Sequence, residues 1–138
     1  MLRQIVKTES DAPEVIFEYC KSGDAGMVAS LVDRFQCIEL RHEKGWTPLI
    51  VACHSGNFEV AELLIRLGAD VNAKNQKGTT VFMYAKSAAI RMGNTKLLDF
   101  LLGAGADIEA KDQFGLTALD YARQLDCGWL TDYLEQKT

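Results

Sequence analysis

Cys53 and His54 are neighbours, and a thiol beside an imidazole is the pairing a nucleophilic enzyme would use. On a helix, however, adjacent residues diverge by roughly 100°, so this imidazole would not face the thiol. Cys53 reads more simply as a small core residue. The other chemistry-bearing residues form no constellation. Cysteines at 20, 37, 53 and 127 are irregularly placed and suggest neither a disulfide framework nor a zinc site. No phosphate-cradling glycine loop, nucleophile elbow or calcium loop is present. The expectation is a chain without catalytic residues, cofactor or metal. What does recur is a set of cations and bulky apolar side chains at fixed intervals, which suits recognition better than reaction.

Those intervals belong to a repeat. Gly45, Gly78 and Gly115 open similar passages: G-W-T-P-L-I-V-A, G-T-T-V-F-M-Y-A and G-L-T-A-L-D-Y-A. A period in the thirties predicts stacked supersecondary units. In the first copy Gly45 suits a turn, Thr47 can cap a helix, and Pro48 sits in the first turn, where its missing N–H costs nothing. Leu49, Ala52 and Cys53 then share one apolar face, and Cys20 holds the slot of Cys53 one period earlier. Gly56-Asn57 reads as a turn, and Val60, Leu63, Leu64 and Leu67 form the stripe of a second helix. Gly68 fits the residue just past its end. Residues 69–73 lead in extended form to the next turn.

Thr47-Pro48-Leu49 with Ala52, and Gly68-Ala69-Asp70-Val71-Asn72-Ala73, resemble the ankyrin repeat signature. The resemblance covers residues 12–138, and Gly45 to Gly78 spans the 33 residues of that repeat. It implies an all-α solenoid of helix–turn–helix units joined by short β-hairpin-like loops. Departures are Val81 and Ala118 in place of proline, and Ile50, Met83 and Asp120 where the pattern has histidine.

The expected organisation is an arm over 1–11 and one repeat domain over 12–138. Within it, 12–44 forms a divergent N-terminal cap, with Asp11 capping its first helix and Pro13 in the first turn. Repeats follow over 45–77 and 78–114, and 115–138 closes the stack. There Leu130, Tyr133 and Leu134 face inward while Thr131, Asp132, Glu135 and Gln136 face water. The second repeat is four residues longer between Ala85 and Gly93 than its predecessor between Ala52 and Gly56. Four residues is close to one helical turn, so the spacing fits an extended helix, and a bulged loop fits it too. Either places Ile90, Arg91 and Met92 beyond the ordinary end of a groove.

At 138 residues, with 48% hydrophobic and 25% charged residues, the chain has the bounds of one globular domain. Charge interrupts its first residues too early for a secretory leader, no apolar run is long enough to cross a bilayer, and a reduced, cytoplasmic protein is expected. Net charge of −4 argues against nonspecific nucleic-acid binding.

The resemblance implies that hairpin tips and the exposed side of each first helix line a concave surface that varies with the partner. In the first unit these positions are Arg41, Glu43, Lys44, Trp46 and His54, with His42 a solvated hairpin residue. The second unit supplies Lys74, Gln76, Lys77, Thr79, Met83, Lys86 and Arg91, and the last Gln113, Phe114, Leu116 and Arg123. Trp46 is the leading anchor, because tryptophan dominates interface hot spots; the alternative is that it lies flat on a neighbouring hairpin. Arg41, Lys74 and Lys111 share one slot, Lys44 and Lys77 a second, Lys86 and Arg123 a third. Such basic rows suggest a partner protein with an acidic surface. The expected function is a monomeric, non-enzymatic adaptor or inhibitor. Its rivals are a self-associating structural repeat, a microbial toxin-neutralising immunity protein and, with least support, a nucleic-acid binder.

Overall fold

The computed structural model describes residues 4–138, with side chains from Pro13 onward. Eight helices are described: α1 (Gln4–Ser22), α2 (Ala25–Phe35), α3 (Pro48–His54), α4 (Phe58–Arg66), α5 (Val81–Met92), α6 (Lys96–Gly103), α7 (Ala118–Gln124) and α8 (Gly128–Lys137). They pair as antiparallel hairpins. Inner helices α1, α3, α5 and α7 pack in series, and outer helices α2 and α4 pack behind them. The class is the all-helical solenoid that the repeat implied. Among the described residues the nearest approach to a strand is one isolated antiparallel bridge, Lys74 to Thr80, at the neck of the second hairpin.

Threonine starts each of the last three inner helices. Thr47, Thr80 and Thr117 accept the backbone N–H of Ile50, Met83 and Asp120, and Pro48 occupies the first turn of α3. Asp120 returns a bond to the Thr117 N–H, closing a capping box. After α4, Gly68 N–H donates to the Ile65 carbonyl and Ala69 N–H to Leu64, a Schellman ending that satisfies two orphan carbonyls. Gly105 and Ala106 repeat it after α6. Local chemistry thus fixes where each rod begins and stops.

Burial follows the period. Cys20, Leu49, Ile50, Ala52, Cys53, Val60, Leu64, Leu98 and Leu101 are buried in one continuous core, and Leu130 and Leu134 close it under the last pair. Hairpins lean on their successors in register. The Lys77 carbonyl accepts the Gln113 N–H at 2.9 Å, and a Cβ on Gly78 would lie 3.1 Å from that nitrogen. Asn72 spans the next joint, accepting from the Asp107 N–H at 2.8 Å and donating to the Gly105 carbonyl at 3.1 Å. Glu39, one period earlier, accepts from the Asp70 N–H in the same way.

Two boundaries needed the structure. The longer second repeat is helical: α5 has 12 residues against 7 in α3 and α7, so the insertion extends the rod rather than forming a loop. At the other end α1 already runs from Gln4, through the stretch read as an arm. Asp11 therefore lies within a helix rather than at its cap, although its side chain is outside the described residues. No glycine interrupts residues 4–22, and Pro13 lies inside the helix, where it removes one backbone donor.

Candidate functional site

The cleft in the concave face forms where three repeats bring rings together. Phe17 comes from α1, His42 and Trp46 from the first hairpin, His54 from the end of α3 and Tyr84 from α5. Trp46 is the hub: its ring lies 5.4 Å from His42, 5.1 Å from His54 and 4.6 Å from Tyr84, centroid to centroid. Phe17 approaches His42 at 5.2 Å, and His54 meets Tyr84 at 5.5 Å. Tilted and edge-on rings at such spacings attract through their quadrupoles as well as through buried area. Beside this cluster opens a cleft of about 620 Å³ whose walls include Glu14, Glu18 and Lys21 of α1 and Arg41–Lys44 of the hairpin. On its other side Trp46 joins Tyr84, Asn75, Gln76, Lys44 and Lys77 around a second depression. Trp46 is the shared wall, half-buried and packed against the core.

His42 is therefore not the solvated turn residue expected. It is half-buried between Phe17 and Trp46, and its Nδ1 accepts the Lys44 N–H at 3.0 Å. One period on, Asn75 does this work, accepting from Lys77 and Thr79 while donating to the Tyr84 hydroxyl. In the last hairpin Asp112 accepts from Phe114, Leu116 and the Tyr121 hydroxyl. That hydrogen bond, with some burial, pushes the Tyr121 hydroxyl up to about 12. Asn75, Asp112, Tyr84 and Tyr121 were missed as hairpin locks. The signal was present, because an Asn or Asp precedes two turn glycines by three residues and a Tyr follows each glycine by six.

The remaining candidates divide. Lys44, Lys74, Gln76, Lys77, Gln113 and Phe114 are exposed along the hairpin tips, with Thr79 and Leu116 half-buried among them. Phe114 stands out at 69% exposure. Glu43 is exposed too, and its carbonyl accepts the Gln76 amide at 3.2 Å. Arg41 reaches over its own turn to the Gly45 carbonyl at 2.7 Å and on to the carbonyl of Lys74, so its guanidinium clamps two hairpins. Arg91, on the added turn of α5, donates to the His54 carbonyl at 2.6 Å and neutralises the end of α3. Burial first, then the charges of Arg91 and Lys21, hold the His54 imidazole below its ordinary range.

Two expectations fail outright. Met83 and Lys86 are buried, at 4% and 6% exposure, so neither offers a contact surface. Each occupies a slot that is already core one period earlier, at Ile50 and Cys53. The Lys86 ammonium lies 5.3 Å from the centre of the Tyr121 ring, and burial lowers its proton affinity. Arg123, in the slot of Lys86, is exposed because no further repeat packs on it in the described structure, and it pairs with Glu135 at 2.8 Å. The basic rows are thus thinner than their spacing suggests. Burial also raises the Cys53 thiol well above its ordinary range and pushes Cys20 up to about 12, which disfavours the thiolate at both. Among the described residues no cluster could hold a metal, and no helix is long and apolar enough to cross a membrane.

Helix pairs stacked in series, with in-register hairpins and a lined groove, define a repeat solenoid of the interaction-surface type. The sequence profile described as Ankyrin repeat matches residues 44–76 and 77–113, just over half of the chain. The chain belongs to the ankyrin repeat family, whose repeats are in general protein–protein interaction modules. Among its relatives, human protein phosphatase 1 regulatory subunit 27 is 43% identical over 63 residues, covering 46% of this chain and 41% of that protein. Human fibronectin type 3 and ankyrin repeat domains protein 1 is 55% identical over 42 residues, covering 30% of this chain and 12% of that protein. Both matches span less than half of the relative's length.

Proposed function

We propose that this chain is a non-enzymatic adaptor or inhibitor that grips a partner protein at the Trp46 end of its concave face. One observation carries the reading: Trp46, His42, His54 and Phe17 are held by packing at the mouth of an open cleft. A large ring already fixed in place loses little side-chain freedom on binding, which is why such residues concentrate affinity. A relative described as a phosphatase regulatory subunit supports a regulatory role acting through another protein. The exposed cations Lys44, Lys74 and Lys77 border the same face and favour acidic groups on part of the partner. A monomeric, intracellular protein fits this reading.

The test uses the partner that co-purifies with the full chain from its source cell. Lys77→Glu, on an exposed tip, is expected to weaken that complex by about tenfold while leaving the melting temperature unchanged. Trp46→Phe, which keeps most of the packing, should weaken it too. Undiminished affinity in both variants would place the contact elsewhere and leave self-association as the rival reading. Sedimentation over a range of concentrations reads that alternative directly.

A further inference from the structure

The two sides of Trp46 differ in charge. On the α1 side Glu14 and Glu18 stand one helical turn apart at the rim of the cleft, both exposed and neither with an ion-pair partner among the described residues. Lys21 of the same helix and Arg41 and Lys44 of the hairpin line that cleft as well, the Arg41 guanidinium bonded to two carbonyls. On the other side Lys44 and Lys77 border the second depression, and no carboxylate lines it. Between these ends lies the ring surface of Trp46, flanked by His42 and Tyr84. The groove therefore runs from the two glutamates, past Lys21 of the same wall and the rings around Trp46, to a depression lined by Lys44 and Lys77 with no carboxylate.

We infer that the groove takes a mixed-charge segment of its partner: a basic residue over Glu14 and Glu18, an apolar side chain against Trp46, and an acidic residue between Lys44 and Lys77. The inference rests on the reading of the Trp46 face given above and narrows it, since a uniformly acidic partner would meet Glu14 and Glu18 unfavourably. Charge arranged in this way sets the register of the bound segment more than its raw affinity, because like charges brought together are rejected.

The test needs no native partner. Trp129→Phe leaves Trp46 as the single tryptophan of the full chain, so its fluorescence reports the cleft. Three short synthetic peptides share a central leucine and differ at their ends: arginine at one and glutamate at the other, arginine at both, or glutamate at both. The mixed peptide is expected to bind about tenfold tighter than either uniform one, with a preference that fades as salt rises. Glu14→Lys combined with Glu18→Lys should transfer the preference to the glutamate-ended peptide. The milder pair Glu14→Gln and Glu18→Gln should erase the advantage of the mixed peptide over the glutamate-ended one. Equal binding of all three would overturn the charge assignment and leave the cleft as a binding surface. Tightest binding of the glutamate-ended peptide by the unchanged chain would overturn it in favour of an acidic partner. No change in Trp46 fluorescence with any of them would overturn both the charge assignment and the cleft.

Discussion

The first hairpin and the two that follow solve one problem in different ways. In the later hairpins an Asn or Asp folds the turn onto itself and a tyrosine from the next inner helix locks it: Asn75 with Tyr84, Asp112 with Tyr121. In the first hairpin the same two slots hold His42 and Val51, so the hydroxyl lock is missing. Its place is taken by rings stacked from three repeats around Trp46, beside the cleft of about 620 Å³. Tyr84 belongs to both arrangements, accepting from Asn75 and packing on Trp46. A repeat that departs from its siblings while staying well packed is where a function can be sought.

That contrast can be broken by the core both regions share. Leu64 is fully buried in α4, between the first hairpin and the later repeats. Leu64→Ala is expected to cost about 2–5 kcal/mol in urea unfolding, a large share of the total for a domain this size. Trp46 reports one region and Trp129 the other, and both should shift together; separate transitions would mean that the two regions are independent units rather than variants of one stack. A sharper version compares turns. Gly78→Ala meets the backbone of the following hairpin at 3.1 Å, whereas Gly115→Ala, at nearly the same φ, meets nothing within 4 Å. The second should lose roughly 1–2 kcal/mol from backbone strain alone, and the first clearly more. Equal losses would show that hairpin contact adds nothing.

Smaller effects address the locks themselves. Tyr84→Phe and Tyr121→Phe each remove one hydroxyl bond and should cost about 1 kcal/mol, with Tyr121→Phe the larger because its acceptor is a carboxylate. The smallest expected effect belongs to His54. Its imidazole is held below the ordinary range, so the unfolded chain takes up a proton first as the solution is acidified. Stability therefore falls as pH drops through the imidazole range near about 6.5, until the folded protein is protonated as well. His54→Gln should flatten that decline in melts between neutral and mildly acidic pH, and an unchanged slope would assign it to other groups.

Much of the fold was legible because it is local. Thr47, Pro48 and Gly68 act within a turn or two of their own positions, and each does what its residue type allows. Period alone also held the burial of Met83 and Lys86, since Ile50 and Cys53 fill those slots one repeat earlier. Weighing Lys86 by its charge rather than its slot concealed this. Arg41 and Arg91 were less accessible: a long cation looks free until the carbonyl it reaches, some thirty residues away, is placed beside it.

From the residues alone followed the repeat, the Thr47 cap and the apolar stripes, because short-range geometry and burial period are written along the chain. Only the tertiary structure decided that the insertion is helical, that Arg41 and Arg123 are spent on internal partners, and that Phe17, Trp46 and Tyr84 share one cluster. Those outcomes depend on side-chain rotamers and on the stagger of neighbouring hairpins. Both are set by contacts between residues far apart in sequence, which spacing along the chain does not encode.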